Sequence, residues 1–169
     1  MFNNIKSIII VFAVLICFSS CKDAAIKKEA ANKKSMQLAE NDKVVKEAIK
    51  EAKKGISGFY KVFDEQDPKN YNYSIKMAFN DFKKTEHIWL DNLKYENGTL
   101  YGFVANSPKH VPHIKNGDKI PIEGDKIVDW MYLRNDYLQG GYTIKALRKN
   151  MTAKQKKAFD TKVGFKIKE

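Results

Sequence analysis

The sequence predicts an α+β domain, in which an N-terminal amphipathic helix packs on a curved, mostly antiparallel sheet or small open barrel, with a short C-terminal helix. Three observations lead to this prediction. Apolar residues recur at helical spacing after residue 42, they alternate with polar residues in several later segments, and turn residues separate those segments. A helix followed by a run of strands is typical of this fold class.

The first helix is predicted to begin at Asp42, a residue type that caps helices, and to end near residue 64. Its apolar residues are spaced alternately four and three apart, which places them on one face: Val45, Ile49, Ala52, Ile56, Phe59 and Phe63. The stripe continues past Gly55 and Gly58, so we expect one helix despite a cost of about 1 kcal/mol per glycine. The turn residues at 67–70 end it.

Alternation and bounding turns predict five strands, over residues 71–79, 85–95, 99–105, 119–122 and 126–133. Asn97-Gly98 predicts a tight hairpin between the second and third strands. Residues 142–147 are expected to form a last strand. Thr152 and Gln155 predict a capping box for a short basic helix that ends near Gly164.

The N-terminus predicts export. Residues 1–20 carry one charged side chain, Lys6, and an apolar run over residues 8–18 that is shorter than the ~20 residues a membrane-spanning helix needs. Phe18-Ser19-Ser20-Cys21 resembles the bacterial lipoprotein box, so Cys21 is expected to carry acyl chains such as palmitate and to become the first mature residue. The alternative is an ordinary secreted protein. Cys17 leaves with the signal peptide, and the mature lipoprotein then has no free thiol.

We expect the mature chain to consist of a polar tether (21–41), a folded domain (42–148) and a basic C-terminal helix or tail (149–169). The chain has 31 basic and 20 acidic residues, and the excess lies in the two ends, while residues 55–148 are nearly neutral. This distribution argues against a nucleic-acid partner, which would need a basic patch on the folded surface. Basic ends suit an anionic lipid membrane or simply improve solubility. The expected location is the bacterial cell envelope, on the periplasmic face or the cell surface.

Glu86 and His87 are the first candidate site residues. Neighbouring side chains of a strand point to opposite faces, so Glu86 should lie with Ile88, and His87 with Trp89. The two cannot form an acid–base dyad with each other. His87 beside Trp89 is either a general base or ligand-stacking corner, or a partly buried histidine with satisfied hydrogen bonds, and we favour the second interpretation.

Asp129 and Trp130 form the second candidate pair, inside an apolar strand. Burial should raise the pKa of Asp129 unless its carboxyl group is hydrogen-bonded or paired. Asp129 is therefore either a site acid or a buried anchor for backbone amides or Arg134, and we favour the anchor. His110 and His113 flank Pro112 and need not converge, so no metal is predicted. No cofactor is expected, and no residue is assigned a catalytic role.

Several runs together resemble a known family: Glu86-His87-Ile88-Trp89-Leu90, Gly102, Asn106-Ser107-Pro108, Gly117-Asp118, Ile127-Val128-Asp129-Trp130-Met131-Tyr132 and Gly141-Tyr142-Thr143. In this order they resemble the YegJ-like domain family, domain of unknown function 2314, over about residues 42–147. The resemblance implies a bacterial domain that is often exported. It implies no established activity, so no site residue can be carried over.

The leading hypothesis is a membrane-anchored lipoprotein with a non-catalytic binding domain of the cell envelope, whose ligand edge carries His87 and Trp89. Its partner would be an envelope protein or another envelope ligand. One alternative is an envelope hydrolase that uses Asp129, Glu86 or His87, which requires these side chains to converge on one cleft. Another is a protective protein against an envelope-directed toxin.

Overall fold

The computed structural model describes residues 43–81 and 84–168. Within these residues the chain forms three α-helices and six β-strands. The helices are α1 (Lys43–Glu65), α2 (Tyr142–Lys149) and α3 (Ala153–Val163). The strands are β1 (Asn70–Asp81), β2 (Lys84–Glu96), β3 (Thr99–Val104), β4 (Lys119–Pro121), β5 (Ile127–Arg134) and β6 (Tyr137–Gly140), with a 3₁₀ turn at Gly124–Lys126 before β5.

The strands form one antiparallel sheet in the order β4-β3-β2-β1-β5-β6. β4 and β6 are its two edges, so the sheet is open rather than closed into a barrel. The predicted α+β class is confirmed. At the β6 edge, the backbone N–H of Leu138 donates to the Lys166 carbonyl oxygen at 2.8 Å, so the C-terminal segment covers part of this edge.

The predicted first helix is confirmed as α1, while its expected cap, Asp42, lies outside the described residues. Its stripe is buried at Val45, Ala52, Phe59 and Phe63. Ring contacts connect it to the sheet, with the Phe59 centroid 5.4 Å from that of Trp130 in β5. Most of the stability of such a helix comes from packing this apolar face, because propensity alone contributes little.

At Gly55, α1 lies in close contact with the sheet. A Cβ atom at Gly55 would lie 2.9 Å from Cζ2 of Trp130. At Gly58, one turn further along, an added Cβ would have no heavy atom within 4 Å. The first glycine therefore makes room for the indole ring, whereas nothing in the packing requires the second.

One face of the sheet, here called the helix face, packs against α1. Ile75 in β1 lies opposite Leu90 in β2 and Trp130 in β5, so all three side chains are on this face. Val111 and Ile114, from the segment between β3 and β4, join the same buried core. The segment that looks irregular in the sequence therefore supplies part of the hydrophobic core.

The prediction of a last strand over residues 142–147 is wrong: this stretch is helix α2, and the last strand is β6. Tyr142, Thr143 and Ile144 favour a strand locally because they are aromatic or β-branched. The preceding Gly140 and Gly141 take left-handed backbone angles, with φ of 65° and 60°, which end β6. The first turn of α2 is then capped by a carboxylate from β5, which no local pattern reveals.

The predicted capping box is confirmed at the start of α3. The Thr152 side chain accepts a hydrogen bond from the Gln155 backbone N–H, and the Gln155 side chain accepts one from Thr152. The helix ends before Gly164, whose φ is 70°. Arg148 of α2 binds Asp160 of α3 through two hydrogen bonds of 2.8 Å each, a bidentate pair that connects the two helices.

No helix within residues 43–81 and 84–168 combines the length and the apolar composition needed to cross a membrane. The predicted signal peptide, the acylated Cys21 and the tether over residues 21–41 lie outside the described residues.

Candidate functional site

A row of three side chains crosses the centre of the sheet, on the face opposite the helix face. We call it the polar face; it carries Lys76 of β1 between Trp89 of β2 and Asp129 of β5, each directly opposite Lys76 in the strand register. Lys76 is only 8% exposed. Its Nζ lies 5.6 Å from the centroid of the Trp89 ring and 3.5 Å from Oγ1 of Thr143. A buried lysine at the centre of a sheet is stabilised by such contacts.

The Asp129 carboxylate is completely buried and accepts four hydrogen bonds. Oδ1 accepts from the backbone N–H groups of Trp130 and Tyr142, at 2.9 and 3.1 Å. Oδ2 accepts from the backbone N–H of Thr143 at 2.8 Å and from its hydroxyl at 2.6 Å. Asp129 thus serves as the N-terminal cap of α2, although it lies in another element. This is the anchoring role considered from the sequence, with backbone amides as the partners.

Arg134, the other partner considered for Asp129, points elsewhere and pairs with Asp67 at 3.9 Å. Burial raises the pKa of Asp129, while the hydrogen bonds from Thr143 and Trp130 and the charge of Lys76 oppose that change. Burial also lowers the pKa of Lys145, and Asp129 partly offsets this. The carboxylate thus balances positive charge in a part of the fold with little water.

His87 lies on the polar face, opposite Ala78 of β1. Burial, and secondarily the charge of Lys76, lowers the pKa of His87 from 6.5 to about 4. The ring is therefore neutral at physiological pH. Among the described residues, Nδ1 of His87 has no hydrogen-bond partner. His87 therefore differs from the satisfied histidine that the sequence favoured.

Glu86 lies on the helix face, with its carboxylate bound to the backbone of the segment after β3. It accepts hydrogen bonds from the backbone N–H of Lys109, at 3.0 and 2.8 Å, and from that of His110 at 2.7 Å. Glu86 therefore holds this segment against the sheet. Because Glu86 is on the opposite face from His87 and Asp129, the three side chains do not converge on one cleft.

Trp130 is on the helix face and has a packing role. Its Nε1–H donates to the Ala52 carbonyl oxygen of α1 at 2.8 Å. Its ring stacks on Tyr132 with centroids 6.3 Å apart and meets Tyr142 edge-on at 5.5 Å. A Cβ at Gly140 would lie 2.4 Å from this ring, which explains a glycine there. Trp130 thus contacts α1, β5 and α2 at once.

A metal centre has no ready set of ligands in the described part of the chain. Residues 43–81 and 84–168 contain no group of three or more histidine, cysteine, aspartate or glutamate side chains placed to hold an ion. His110 and His113 belong to the segment whose backbone Glu86 binds. The row on the polar face has a single carboxylate, Asp129, and its oxygens already accept four hydrogen bonds.

Sequence reasoning missed Lys76 and Thr143. Lys76 occupies a polar position in the alternating pattern of β1, where it reads as a solvent-exposed lysine. Thr143 sits in the stretch that was predicted as a strand. A buried lysine can be recognised only when the elements that cover it are known. Lys76 contacts Thr143, 67 positions later in the chain, and Asp129 binds the start of α2 at Tyr142, 13 positions later.

Sequence reasoning also missed a groove of about 960 Å³ between the end of α1, strands β1 and β2, and the C-terminal segment. We call this cavity the groove. Its polar and charged lining residues are Asp64, Gln66, Asn72, Ser74, Asp91, Asn92 and Lys94. Its apolar and aromatic lining residues are Phe63, Tyr73, Leu93, Tyr95, Met131, Leu133, Val163 and Phe165. Binding sites for small ligands commonly measure roughly 300–1,000 Å³.

Two residues that line the groove have unusual backbone conformations. Asn72 and Asn92 are the two non-glycine residues of the described strands with left-handed backbone angles, with φ of 54° and 48°. The strand register shifts at both places, between Tyr71 and Ser74 and between Asp91 and Lys94. Such irregularities redirect side chains and are frequent beside functional sites.

The chain belongs to the family described as "Uncharacterized protein conserved in bacteria (DUF2314)", whose model matches residues 42–167. The resemblance to the YegJ-like family is thus confirmed, and the match extends past α2 to include α3.

Two curated proteins are similar to parts of this chain. The chain is 37% identical over 101 residues to "Uncharacterized protein YegJ" of Escherichia coli. The aligned region covers 60% of this chain and 65% of that protein. It is 32% identical over 80 residues to a putative ankyrin repeat protein of Neisseria meningitidis, covering 47% of this chain and 32% of that protein. The chain therefore matches less than two thirds of the length of either relative. No solved structure shows a significant match.

Proposed function

We propose that this chain is a lipoprotein of the bacterial cell envelope that presents its DUF2314 domain as a binding module. One observation carries the proposal: the predicted acid–base residues Glu86 and Asp129 have structural hydrogen bonds, whereas the groove has the size and polar lining of a binding site. The carboxylates of Glu86 and Asp129 accept hydrogen bonds from backbone N–H groups, and the two side chains lie on opposite faces of the sheet. The groove offers a cavity of about 960 Å³ with several polar side chains.

The groove is compatible with the ligand edge expected from the sequence. Asp91, which lines the groove, follows His87 and Trp89 along the same face of β2. The groove that we propose as the binding surface thus includes Asp91 from this face of β2, an interior strand, together with Phe63 and Asp64 at the end of α1. A hydrolase in which Glu86, His87 and Asp129 act together has no support in this geometry. Protection against an envelope-directed toxin remains a prediction.

The anchor is proposed from the sequence Phe18-Ser19-Ser20-Cys21. Each methylene group of an acyl chain that enters the bilayer contributes about 0.8 kcal/mol, so two or more chains on Cys21 would hold the protein at the membrane durably. The lysines on both sides of the domain would add about 1 kcal/mol each where they approach an anionic surface.

The anchor is tested by expressing the full chain in a bacterium and separating membranes from soluble protein. Cys21→Ser should move the protein out of the salt-washed membrane fraction or leave it as an unprocessed precursor. Cys17→Ser is the matched control, because it removes the other cysteine four residues earlier and should remain in the membrane after processing. Processing and membrane retention of Cys21→Ser like those of the wild type would refute the proposed anchor.

A further inference from the structure

We propose that the groove binds a neutral, hydroxyl-rich ligand, that is, a glycan without net charge. This inference rests on the proposed binding function and specifies its ligand class. Three properties of the groove support it: the mixed charge of its lining, its exposed aromatic ring, and the two strand irregularities that place amide groups along it.

The charge of the lining argues against a strongly charged ligand. Asp64 and Asp91 are acidic and Lys94 is basic. A polyanion would meet both carboxylates, and a polycation would meet the ammonium group. A sugar hydroxyl both donates and accepts hydrogen bonds, so it can pair with a carboxylate, an ammonium or an amide. A neutral glycan is therefore the class of ligand that uses all the charged groups of this groove without repulsion.

The aromatic residues provide the apolar part of such a site. Tyr95 is 52% exposed and is therefore accessible from the groove. Its ring lies 5.9 Å from that of Phe63, which in turn contacts Tyr73 edge-on at 5.1 Å. The buried Phe63 thus supports the exposed ring from behind. One face of a pyranose ring carries mainly C–H groups and is apolar, so it can pack on an aromatic face of this kind.

Asn72 and Asn92 add planar amides at fixed positions. Their left-handed backbone angles cost energy, and both positions lie inside strands rather than in the turns between them. The Asn92 side-chain N–H donates to the Asp91 carboxylate at 3.2 Å, which orients both groups at the groove. Pre-oriented donors and acceptors lower the entropy that a flexible ligand site would lose on binding.

The experiment titrates the purified full-length protein with oligosaccharides of defined charge by calorimetry, in a detergent without a sugar headgroup. The neutral probes are the β-1,4-linked tetramer of N-acetylglucosamine and the α-1,4-linked tetramer of glucose. The charged probes are the tetramers of glucosamine and of galacturonate. We expect at least one neutral tetramer to bind, at least about tenfold more tightly than either charged tetramer. No binding of the neutral tetramers at millimolar concentration, or tighter binding of a charged one, would overturn the inference.

Matched variants locate the binding. Tyr95→Ala and Asp91→Asn should weaken binding of the neutral tetramer by about three- to tenfold, as expected for a lost stacking contact or a lost charge-assisted hydrogen bond. Tyr101→Ala and Asp125→Asn, which change the same residue types outside the groove, should change it less than twofold. Each variant is checked for an unchanged thermal midpoint. Wild-type affinity in both groove variants would show that the sugar binds elsewhere and would overturn the assignment.

Sedimentation with insoluble chitin or starch then distinguishes a polymer from a free oligosaccharide as the form of neutral glycan that binds, and both results support the same chemistry. Failure of the glycan proposal can be distinguished from failure of the proposed anchor, because membrane anchoring by Cys21 is measured without any sugar. If the protein is anchored but binds none of the neutral tetramers, the proposed membrane anchor stands and the proposed glycan ligand is wrong.

Discussion

Oδ2 of Asp129 in β5 lies 2.6 Å from Oγ1 of Thr143 in α2, and both residues are at most 1% exposed. The contact joins the sheet to a helix that local sequence does not favour. The same hydroxyl accepts a hydrogen bond from Nζ of Lys76 at 3.5 Å, so the lysine, the threonine and the carboxylate form a continuous chain of hydrogen bonds. Such a buried network is stable only when every member is satisfied.

Asp129→Asn is expected to lower the free energy of unfolding by about 2–3 kcal/mol, because the amide can no longer accept all four hydrogen bonds and buried donors are left unsatisfied. Thr143→Val, which keeps the shape and removes the hydroxyl, should cost about 1–2 kcal/mol. Denaturant titration of the full chain measures both changes. Asp125→Asn, at an exposed position before β5, is the control and should change stability by less than about 0.5 kcal/mol. A loss at Asp129 no larger than at Asp125 would contradict the capping role.

His87 predicts a dependence of stability on pH. The pKa of His87 in the folded protein is about 4, against 6.5 for an unperturbed histidine, so the unfolded chain binds a proton more readily between these values. The free energy of unfolding should therefore fall as the pH falls from 6.5 to 4. The decrease between pH 7 and pH 5 is at most about 2 kcal/mol, and it is smaller to the extent that solvent screens the partly exposed ring.

His87→Gln removes the titrating ring and should flatten this part of the curve. The raised pKa of Asp129 has the opposite effect, since it favours the folded state at low pH. Asp129 is present in both proteins, so the difference in stability between variant and wild type reports His87 alone. Thermal unfolding across pH 4 to 7 makes the measurement. An identical slope in wild type and variant would show that His87 is not the group responsible.

The two glycines of α1 should respond in opposite directions. Gly58→Ala adds a methyl group where no atom lies within 4 Å, so the better helix propensity of alanine should stabilise the protein by about 0.5–1 kcal/mol. Gly55→Ala places its Cβ 2.9 Å from Trp130 and should destabilise the protein by about 1–2 kcal/mol after the gain in propensity. Thermal midpoints of the two variants test this pair. Equal stabilisation by both would mean that Trp130 does not pack against the helix at Gly55.

Glu86→Ala should loosen the segment that follows β3. The backbone N–H groups of Lys109 and His110 lose their carboxylate acceptor, so their amide hydrogen exchange should quicken by about tenfold, equivalent to roughly 1–2 kcal/mol of local stability. The amide of Ile114, bound to the Val111 carbonyl oxygen at 3.0 Å, is an internal reference. Glu123→Ala, which removes an exposed ion pair with Lys126, is the control. Unchanged exchange at Lys109 and His110 would contradict the anchoring role of Glu86.

The parts of the fold that sequence could predict are those set by local periodicity. The stripe from Val45 to Phe63, the Asn97-Gly98 turn and the Thr152–Gln155 capping box each depend on residues within one element, and each is present in the structure. Helix α2 was mispredicted because its cap comes from Asp129, thirteen residues before its first residue. A cap supplied by another element leaves no local trace.

The candidate site shows the same division. The alternation of β2 correctly separated Glu86 from His87, because direction along a strand is a local property. The role of Lys76 and the existence of the groove depend on which elements meet across the sheet, and a single sequence does not contain that information. In the sequence, Asn72 and Asn92 are ordinary polar positions inside two predicted strands, and only the structure shows their left-handed backbone angles and places both beside one cavity.

The intact mass of the wild-type protein extracted from bacterial membranes tests most directly whether Cys21 holds the domain at a membrane. We expect a chain that begins at Cys21 and carries the added mass of two or three acyl chains, with fragments that place this mass on the first residue. A membrane-extracted chain that retains residues 1–20, or one that begins elsewhere without acyl groups, would contradict it.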